Sequence, residues 1–351
     1  MLNNGDLKRF YANEPSSKGE EDFARKSDLT TIEANPEGEA TESLSKIEIG
    51  DTVYAVSSEN PWKIAPLGEG EDDTQNIVDC LEEYGKCELI AGIYTVGWLD
   101  MPAGSELYGA GTNGSLEEVG GATILHVPYD DDPDIEQGII ISNECKIHNL
   151  RIIGDGGEIP QDLGDHSGIG THNSESYINT KIYDVVIEGF DQAGIVATTG
   201  DTGIIIEDCY IAGCGAGIAT APAKKCIINN CNISNCLYGY YAYNSSDIIL
   251  TDSILLENTA AIVCAGGTQN ILIANCRVEA DGGTVLGLDA TGVTFTGDSF
   301  GSVEVSATAG ATGFIIFTGC VFDSVPTLTE NITLHFSNCW EIATGTEVKV
   351  S

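Results

Sequence analysis

IYDVVIEGF, at residues 182–190, is the first of five related phrases that occupy the chain as far as residue 279. The other four are IIIEDCYIAGC at 204–214, IINNCNISNC at 227–236, IILTDSILLEN at 248–258 and ILIANCRVE at 271–279. When the phrases are aligned, one position reads Val185, Cys209, Cys231, Ser253 and Cys276, at steps of 24, 22, 22 and 23 residues. A period of this length, carried by β-branched residues with Asn, Asp and Gly between them, predicts stacked coils of β-strand rather than helix pairs.

Two further sets of positions keep the same period. One reads Ile187, Ile211, Ile233, Leu255 and Val278. The other marks the start of a second strand in each coil, at Gly194, Gly217, Gly239, Ala261 and Thr284. One coil of about 22 residues cannot bury its own apolar face, whereas stacked coils bury it and pair their backbone groups. We therefore predict an all-β, single-stranded parallel β-helix, right-handed because parallel crossovers almost always are.

Composition narrows the possible partners. The chain has 351 residues, a hydrophobic fraction of 42% and a formal net charge of −39. Such an acidic surface repels nucleic acid and anionic membranes, so we expect neither as a partner. No run of 18 apolar residues predicts a transmembrane span, and the N-terminal sequence lacks the apolar segment of a secretory signal. We expect that the protein either stays inside the cell that makes it or leaves by a route that needs no signal, such as assembly into a virus particle.

The twelve cysteines are expected to be buried thiols. Several share the repeated position, where stacked strands place successive Cβ atoms about 4.8 Å apart. A disulfide requires about 3.8 Å between Cβ atoms, so the column is slightly too wide for bridges. The spacings match no zinc motif, and we predict neither a metal site nor a cofactor.

Four segments are predicted along the chain. Residues 1–45 are polar and read as an arm that orders only against a partner. Residues 46–67 read as a short hairpin and linker, 68–345 as the β-helix and 346–351 as a C-terminal tail. Within the β-helix segment, 74–83 is predicted to form a helix that buries Ile77, Val78 and Leu81 and caps the first coil.

Two stretches carry resemblances to known families. Residues 68–111, GEGEDDTQNIVDCLEEYGKCELIAGIYTVGWLDMPAGSELYGAG, resemble the entry of the pectate-lyase-like right-handed β-helix superfamily. Residues 33–56, EANPEGEATESLSKIEIGDTVYAV, resemble a short module of bacteriophage head fibres and tail appendages. The first resemblance implies the fold and its N-terminal capping helix. Together they imply a tailspike or fibre protein, which assembles as a homotrimer and contacts other virion proteins through residues 1–56.

The superfamily includes polysaccharide lyases, glycoside hydrolases and epimerases, so the fold leaves chemistry open. A lyase needs cations to hold a uronate, and the coils contain few basic residues. A hydrolase needs two carboxylates on one face. In the irregular segment 155–176 and the coil after it, Asp165 could protonate a leaving group while Glu175 or Asp191 activates water, and His166 or His172 could hold a sugar hydroxyl. Residues of these types are also common in turns, and carboxylates are frequent throughout so acidic a chain. We therefore assign none of them as catalytic.

Tyrosines supply candidates for binding. The phrase LYGYYAYNSS contains Tyr238, Tyr241 and Tyr243, and strand alternation exposes some of its tyrosines and buries others. Core packing is the alternative to a glycan or subunit contact for these rings. We predict a virion structural protein, a tail or head spike or fibre, that presents its β-helix to a host-surface glycan or a neighbouring protein. The alternative is a β-helix glycoside hydrolase or lyase that acts on a host polysaccharide.

Overall fold

The computed structural model describes residues 29–31, 44–49, 52–57, 61–68, 70–128, 137–156, 166–171, 179–198, 203–280, 284–306, 314–328 and 333–348. The helix α1 is Thr74–Tyr84. The strands are β1 Leu29–Thr31, β2 Leu44–Ile49, β3 Thr52–Ser57, β4 Lys63–Ile64, β5 Lys86–Leu89, β6 Gly92–Thr95, β7 Leu99–Asp100, β8 Glu106–Gly109, β9 Thr123–Val127, β10 Gln137–Ile141, β11 Lys146–Gly154, β12 Ser167–Thr171, β13 Lys181–Glu188, β14 Ala193–Ala197, β15 Ile205–Glu207, β16 Tyr210–Ala212, β17 Ala216–Thr220, β18 Ile227–Asn229, β19 Asn232–Ser234, β20 Tyr238–Tyr243, β21 Ser246–Thr251, β22 Ile254–Asn258, β23 Ala260–Ala274, β24 Arg277–Ala280, β25 Thr284–Thr296, β26 Ser299–Ser306, β27 Phe314–Thr318, β28 Val321–Leu328, β29 Thr333–Ser337, β30 Cys339–Glu341 and β31 Thr346–Val348.

These strands wind into a parallel β-helix of about ten turns with three sheets. Sheet 1 runs β4-β5-β8-β11-β13-β15-β18-β21-β23-β25-β27-β29. Sheet 2 runs β6-β9-β11-β13-β16-β19-β22-β24-β26-β28-β30, and sheet 3 runs β7-β10-β12-β14-β17-β20-β23-β25-β26-β28. Long strands such as β13 pass from sheet 1 into sheet 2. The predicted parallel β-helix is therefore confirmed, with three sheets where the sequence pattern had indicated two strands per coil.

A single residue in the left-handed conformation turns the chain from sheet 1 to sheet 2. In successive coils this corner residue is Asn149, Asp184, Asp208, Asn230, Asp252 and Asn275, with φ between 51° and 59°. Asn and Asp tolerate this region better than other residues with a Cβ atom. Their side chains form a ladder outside, in which Asn230 Nδ2 donates to Asp208 Oδ1 at 2.6 Å. One such residue per coil produces a sharp corner without a loop.

The residue after each corner points into the core. It is Val185, Cys209, Cys231, Ser253, Cys276, Asp298, Cys320 and Cys339 in successive coils, and all are buried. The thiols donate to the carbonyl oxygen two residues earlier, as from Cys231 Sγ to Asn229 O at 3.4 Å. All twelve cysteines are buried free thiols. The second predicted column is also in register, since Ile187 pairs with Ile211 and Ile211 with Ile233.

Glycine forms the inward column where sheet 2 turns into sheet 3. A Cβ on Gly194 would lie 2.5 Å from Ile211 Cγ2, and one on Gly217 would lie 2.2 Å from Ile233 Cγ2. The repeated glycines therefore reflect a lack of space. The predicted column ends at Ala261, because Ile262 pairs with Leu286 and Thr284 is one residue out of register.

The helix α1 covers the N-terminal end of the core with Ile77, Cys80 and Leu81 buried, while Val78 is partly buried. It ends at Gly85, whose N–H donates to the carbonyl of Leu81. Before the coils, β2 and β3 pair in antiparallel fashion as a hairpin, and β1 pairs with β2. Most of the predicted arm lies outside the described residues. Among the residues that are described, no helix is long and apolar enough to cross a membrane.

Candidate functional site

The tyrosine cluster, comprising Tyr238, Tyr241 and Tyr243 of β20, lies on the outer face of sheet 3. Tyr240 of the same strand points inward and is fully buried, with its hydroxyl 3.0 Å from Thr220 Oγ1. The rings of Tyr238 and Tyr241 have centroids 5.4 Å apart and are tilted by 31°. Tyr243 is 44% exposed. Burial raises the pKa of Tyr241, and the neighbouring phenols add to the shift, so Tyr241 presents a neutral hydroxyl at physiological pH.

Small residues form the surface against which these rings lie. Ala193 and Val196 of β14 and Ala216 and Ala219 of β17 form an apolar cluster, packed against by Tyr238 and Tyr241. The parallel register places Ala193 beside Ala216 and Ala216 beside Tyr238. Because these small side chains project little from the sheet, the tyrosine rings stand above them. The rings therefore form an aromatic surface on the outer face of sheet 3.

A histidine–aspartate pair lies at the beginning of sheet 3, at the corner with sheet 2. Asp191 accepts the backbone N–H of His166 at 2.9 Å, and the imidazole Nδ1 lies 3.3 Å from the same carboxylate. This pair flanks Ser167, which is three strand spacings, about 14 Å, from Tyr238 along the sheet. The carboxylate therefore orients the imidazole next to the start of β12.

The structure brings together only part of the predicted catalytic set. His166 and Asp191 meet, whereas Asp165, Glu175 and His172 lie outside the described residues. Within the described part of the chain, no group of three or more His, Cys, Asp or Glu side chains is arranged to hold a metal ion. The hypothesis that Asp165 acts as the acid and Glu175 or Asp191 as the base stays a prediction.

Sequence reasoning missed a second candidate site, a cleft between sheets 1 and 2 that we call the corner cleft. This cleft has a volume of about 440 Å³ and is lined by Gly111, Thr112, Asn149, Asp184, Val185, Val186, Asp208 and Tyr210. Its two carboxylates are corner residues of adjacent coils, so their backbones are about 4.8 Å apart. The recurrence of Asp or Asn every 22 to 24 residues from Asp184 onward was the available signal.

One arginine fixes the loop that bounds the corner cleft. Between β8 and β9 the chain makes an excursion over residues 110–122 instead of the usual one-residue corner. Arg151 of sheet 2 donates from Nη1 to the carbonyl of Gly114 at 2.5 Å, and its Nη2 forms an ion pair with Glu188. The guanidinium thereby connects this loop to two neighbouring strands. The cleft has a fixed wall, carboxylate acceptors and the exposed ring of Tyr210.

Comparisons with known proteins agree with the fold. Residues 137–300 match the family model for a right-handed β-helix region. No curated protein sequence matches the chain significantly. The family match agrees with the parallel β-helix fold described above, which is the fold that the resemblance of residues 68–111 implied.

Solved structures supply more distant likenesses. The enzymatically active domain of tailspike protein 2 from bacteriophage CBA120 matches with TM-score 0.60 and 13% identity, covering 93% of this chain and 55% of that one. A tailspike of the Acinetobacter baumannii bacteriophage Fri1, a capsular polysaccharide depolymerase, matches with TM-score 0.52 and 14% identity over 77% of this chain and 55% of its own. DFA-IIIase from Arthrobacter chlorophenolicus matches with TM-score 0.51 and 11% identity, covering 76% of this chain and 81% of that one. The chain thus spans about half the length of these tailspikes, and at such identities the likeness concerns the fold.

Proposed function

We propose that this chain is a bacteriophage spike or fibre protein, of the tail or the head, whose β-helix binds a glycan on the host surface. The observation that carries the proposal is the tyrosine cluster on the outer face of sheet 3. Tyrosine rings stack on sugar faces while their hydroxyls bond to sugar hydroxyls. A sheet stacked on a packed core holds them in place before binding, which lowers the entropy lost on association. The likeness to phage tailspikes supports the same class.

Binding to purified host capsular polysaccharide or lipopolysaccharide tests this role. We expect Tyr241→Ala and Tyr243→Ala each to weaken binding about fivefold, the equivalent of about 1 kcal/mol per lost ring contact. Trp340→Ala is the matched control, because Trp340 is an exposed aromatic residue on sheet 2, 53% accessible. Equal losses in all three variants, or undiminished binding by both tyrosine variants, would contradict the assignment of the cluster.

Attachment and assembly complete the proposal. Residues 1–56 join the protein to other virion proteins, and three copies assemble into the spike. The resemblance of residues 33–56 to a module of phage structural proteins supports this attachment role. A chain lacking residues 1–56 should fold and bind glycan but be absent from purified particles, as measured by immunoblot. Its normal incorporation would place the attachment elsewhere.

Cleavage of the same glycan is the second candidate. The specific observation in its favour is the corner cleft, where Asp184 and Asp208 occupy adjacent coils beside Tyr210. Carboxyl groups of retaining glycoside hydrolases lie about 5 Å apart, comparable with the distance between two coils. Incubation with host polysaccharide and measurement of new reducing ends tests for a hydrolase, and ultraviolet absorbance of unsaturated ends tests for a lyase. Loss of product in Asp184→Asn would locate the chemistry in the cleft, and loss in Asp191→Asn would locate it on sheet 3.

A further inference from the structure

The exposed end of the tyrosine cluster lies at the corner where sheet 3 turns into sheet 1. Tyr243 is the last residue of β20, and it pairs in register with Ala265 of the next coil. Its ring is 44% exposed, and within the described part of the chain its hydroxyl has no hydrogen-bond partner. This ring therefore offers a ligand both an aromatic face and an unpaired phenol hydroxyl.

The next residue, Asn244, presents an amide group whose orientation is fixed. Asn244 is exposed, and its Oδ1 accepts the backbone N–H of Gly267 at 2.6 Å. Because this bond engages the oxygen, the amide nitrogen is directed away from the N–H of Gly267. Among the described residues Nδ2 donates to no acceptor, so both of its N–H groups can bond to a ligand.

A glycine holds the ring and the amide close together. A Cβ on Gly266 would lie 2.7 Å from Asn244 Oδ1 and 3.0 Å from Tyr243 Cε2. The backbone here has a φ of 63°, which glycine adopts without strain. Both side chains therefore pack close to this one residue, and the aromatic and the amide group lie within the width of a sugar ring.

Uncharged, partly apolar surface continues beside these two groups. Val263 and Ala265 of β23 are partly exposed and pair in register with Tyr241 and Tyr243. The strands of sheet 3 from β12 to β23 contain no charged residue, although the chain has a net charge of −39. A methyl group is favourably buried against such a surface. An anionic group, in contrast, is repelled by the acidic chain.

We propose that the tyrosine cluster binds an N-acetylated sugar, with the acetamido group held between Tyr243, Asn244 and Ala265. The face of the sugar lies on the ring of Tyr243. The acetyl carbonyl accepts from Nδ2 of Asn244, and the acetyl methyl lies on Ala265 and Val263. The proposal rests on the glycan-binding role proposed above and narrows the ligand to one class of neutral sugar.

Two simpler sugars match only part of this corner. A hexose with a hydroxyl at carbon 2 stacks on the ring but leaves Val263 and Ala265 uncovered. A 6-deoxyhexose supplies a methyl group, yet it lacks the carbonyl acceptor for Asn244. Both should therefore bind more weakly than an N-acetylhexosamine.

Titration of the full chain with monosaccharides, followed by nuclear magnetic resonance, tests the proposal. The probes are N-acetylglucosamine, N-acetylgalactosamine and N-acetylmannosamine, each compared with the parent hexose, from which it differs only at carbon 2. We expect at least one acetamido sugar to bind about tenfold more tightly than its parent, since it adds one hydrogen bond and one buried methyl group. L-Rhamnose, a 6-deoxyhexose, should bind no more tightly than the parent hexoses.

Asn244→Asp isolates the amide donor. The variant keeps an oxygen for the N–H of Gly267 and replaces Nδ2 with an acceptor, which opposes the acetyl carbonyl. It should abolish the preference for the acetamido sugar and leave binding of the parent hexose unchanged. Asn235→Asp is the matched control, because Asn235 is exposed, has the same left-handed conformation and lies at the opposite corner of sheet 3, before β20. Both variants add the same negative charge, so only the local donor differs.

Circular dichroism and the thermal midpoint confirm that each variant is folded. Equal affinities within every pair, no binding of any acetamido sugar, or tighter binding of L-rhamnose would overturn the proposal. So would a preference that Asn244→Asp retains or that Asn235→Asp also loses. Binding of a host polysaccharide without N-acetyl groups that depends on Tyr243 would overturn this inference alone, whereas undiminished binding by Tyr241→Ala and Tyr243→Ala would remove the proposed function.

Discussion

Replacing the buried carboxylate of Asp298 should stabilise the protein at neutral pH. Asp298 is fully buried in the inward column that cysteine or serine occupies in neighbouring coils. Its Oδ1 accepts the backbone N–H of Cys276 at 2.6 Å, whereas Oδ2 has no hydrogen-bond partner. Burial raises the pKa of this carboxyl from 3.8 to about 7, and the bond from Cys276 only partly offsets the shift. Ser253 shows that a hydroxyl suffices at this position, since its Oγ accepts from Cys231 N at 3.1 Å and donates to Thr251 O at 2.8 Å.

The magnitude follows from the two pKa values of Asp298. Below pH 3.8 both the folded and the unfolded chain hold the proton, and the carboxyl imposes no ionisation penalty. Between pH 3.8 and 7 the unfolded chain ionises while the folded chain keeps the proton, so the free energy of unfolding falls as pH rises. About three pKa units, at about 1.4 kcal/mol each, give a loss of about 4 kcal/mol that is complete above pH 7. Asp298→Ser removes this loss, but it leaves a small cavity worth about 1 kcal/mol.

Urea unfolding of wild type and Asp298→Ser between pH 4.5 and 8.5 measures the difference. We expect the variant to be more stable by about 3 kcal/mol at pH 8.5 and nearly equal to wild type at pH 4.5. Asp252→Ser is the control, because Asp252 is an exposed corner residue and its loss relieves no burial. A difference between wild type and Asp298→Ser that stays constant across this pH range would refute the reasoning.

Two further predictions concern buried polar groups and thiols. Asn258→Ala should lower the free energy of unfolding by about 2–4 kcal/mol, since Asn258 Oδ1 accepts from Cys236 N at 3.0 Å and Nδ2 donates to Ile233 O, and each orphaned group costs about 1–3 kcal/mol. Urea unfolding checks this value, and a loss below 0.5 kcal/mol would count against it. Burial raises the pKa of Cys264 to about 12, so the folded protein at pH 8 should resist a thiol reagent that titrates all twelve cysteines after unfolding. Rapid labelling of several thiols in the folded state would be the contrary result.

The sequence was sufficient for the stacking because like residues lie on like. The spacing of Val185, Cys209 and Cys231 alone predicts an inward column, and the register agrees. The sharp corner inside each phrase was harder to see. From Ile182 the inward positions are 185 and then 187, so the alternation slips by one residue at Asp184. That slip marks a residue in the left-handed backbone conformation. An analysis of the repeat period alone does not detect it.

The sites were only partly predictable for a different reason. Alternation within β20 predicted that some tyrosines face outward, and Tyr240 proved to be the inward one. The corner cleft depends on residues 111–112 meeting corner residues near 149, 184 and 208, and such a meeting follows from how many coils separate them. Residue propensities do not reveal how many coils separate two residues. Loop contacts such as that of Arg151 with Gly114 lie equally beyond it.

Because the coils stack at a constant spacing, the distance between two sites on one sheet follows from the number of coils between them. Two outward side chains at the same register position of one sheet are separated by a whole number of strand spacings, each about 4.8 Å. Removing one complete repeat would therefore bring the histidine at 166 closer to the tyrosines by one fixed increment without disturbing either neighbourhood. A ligand longer than one sugar would register that change in affinity, and a monosaccharide would not. The distance between two sites on one sheet can therefore change in steps of one strand spacing while the residues around each site stay the same.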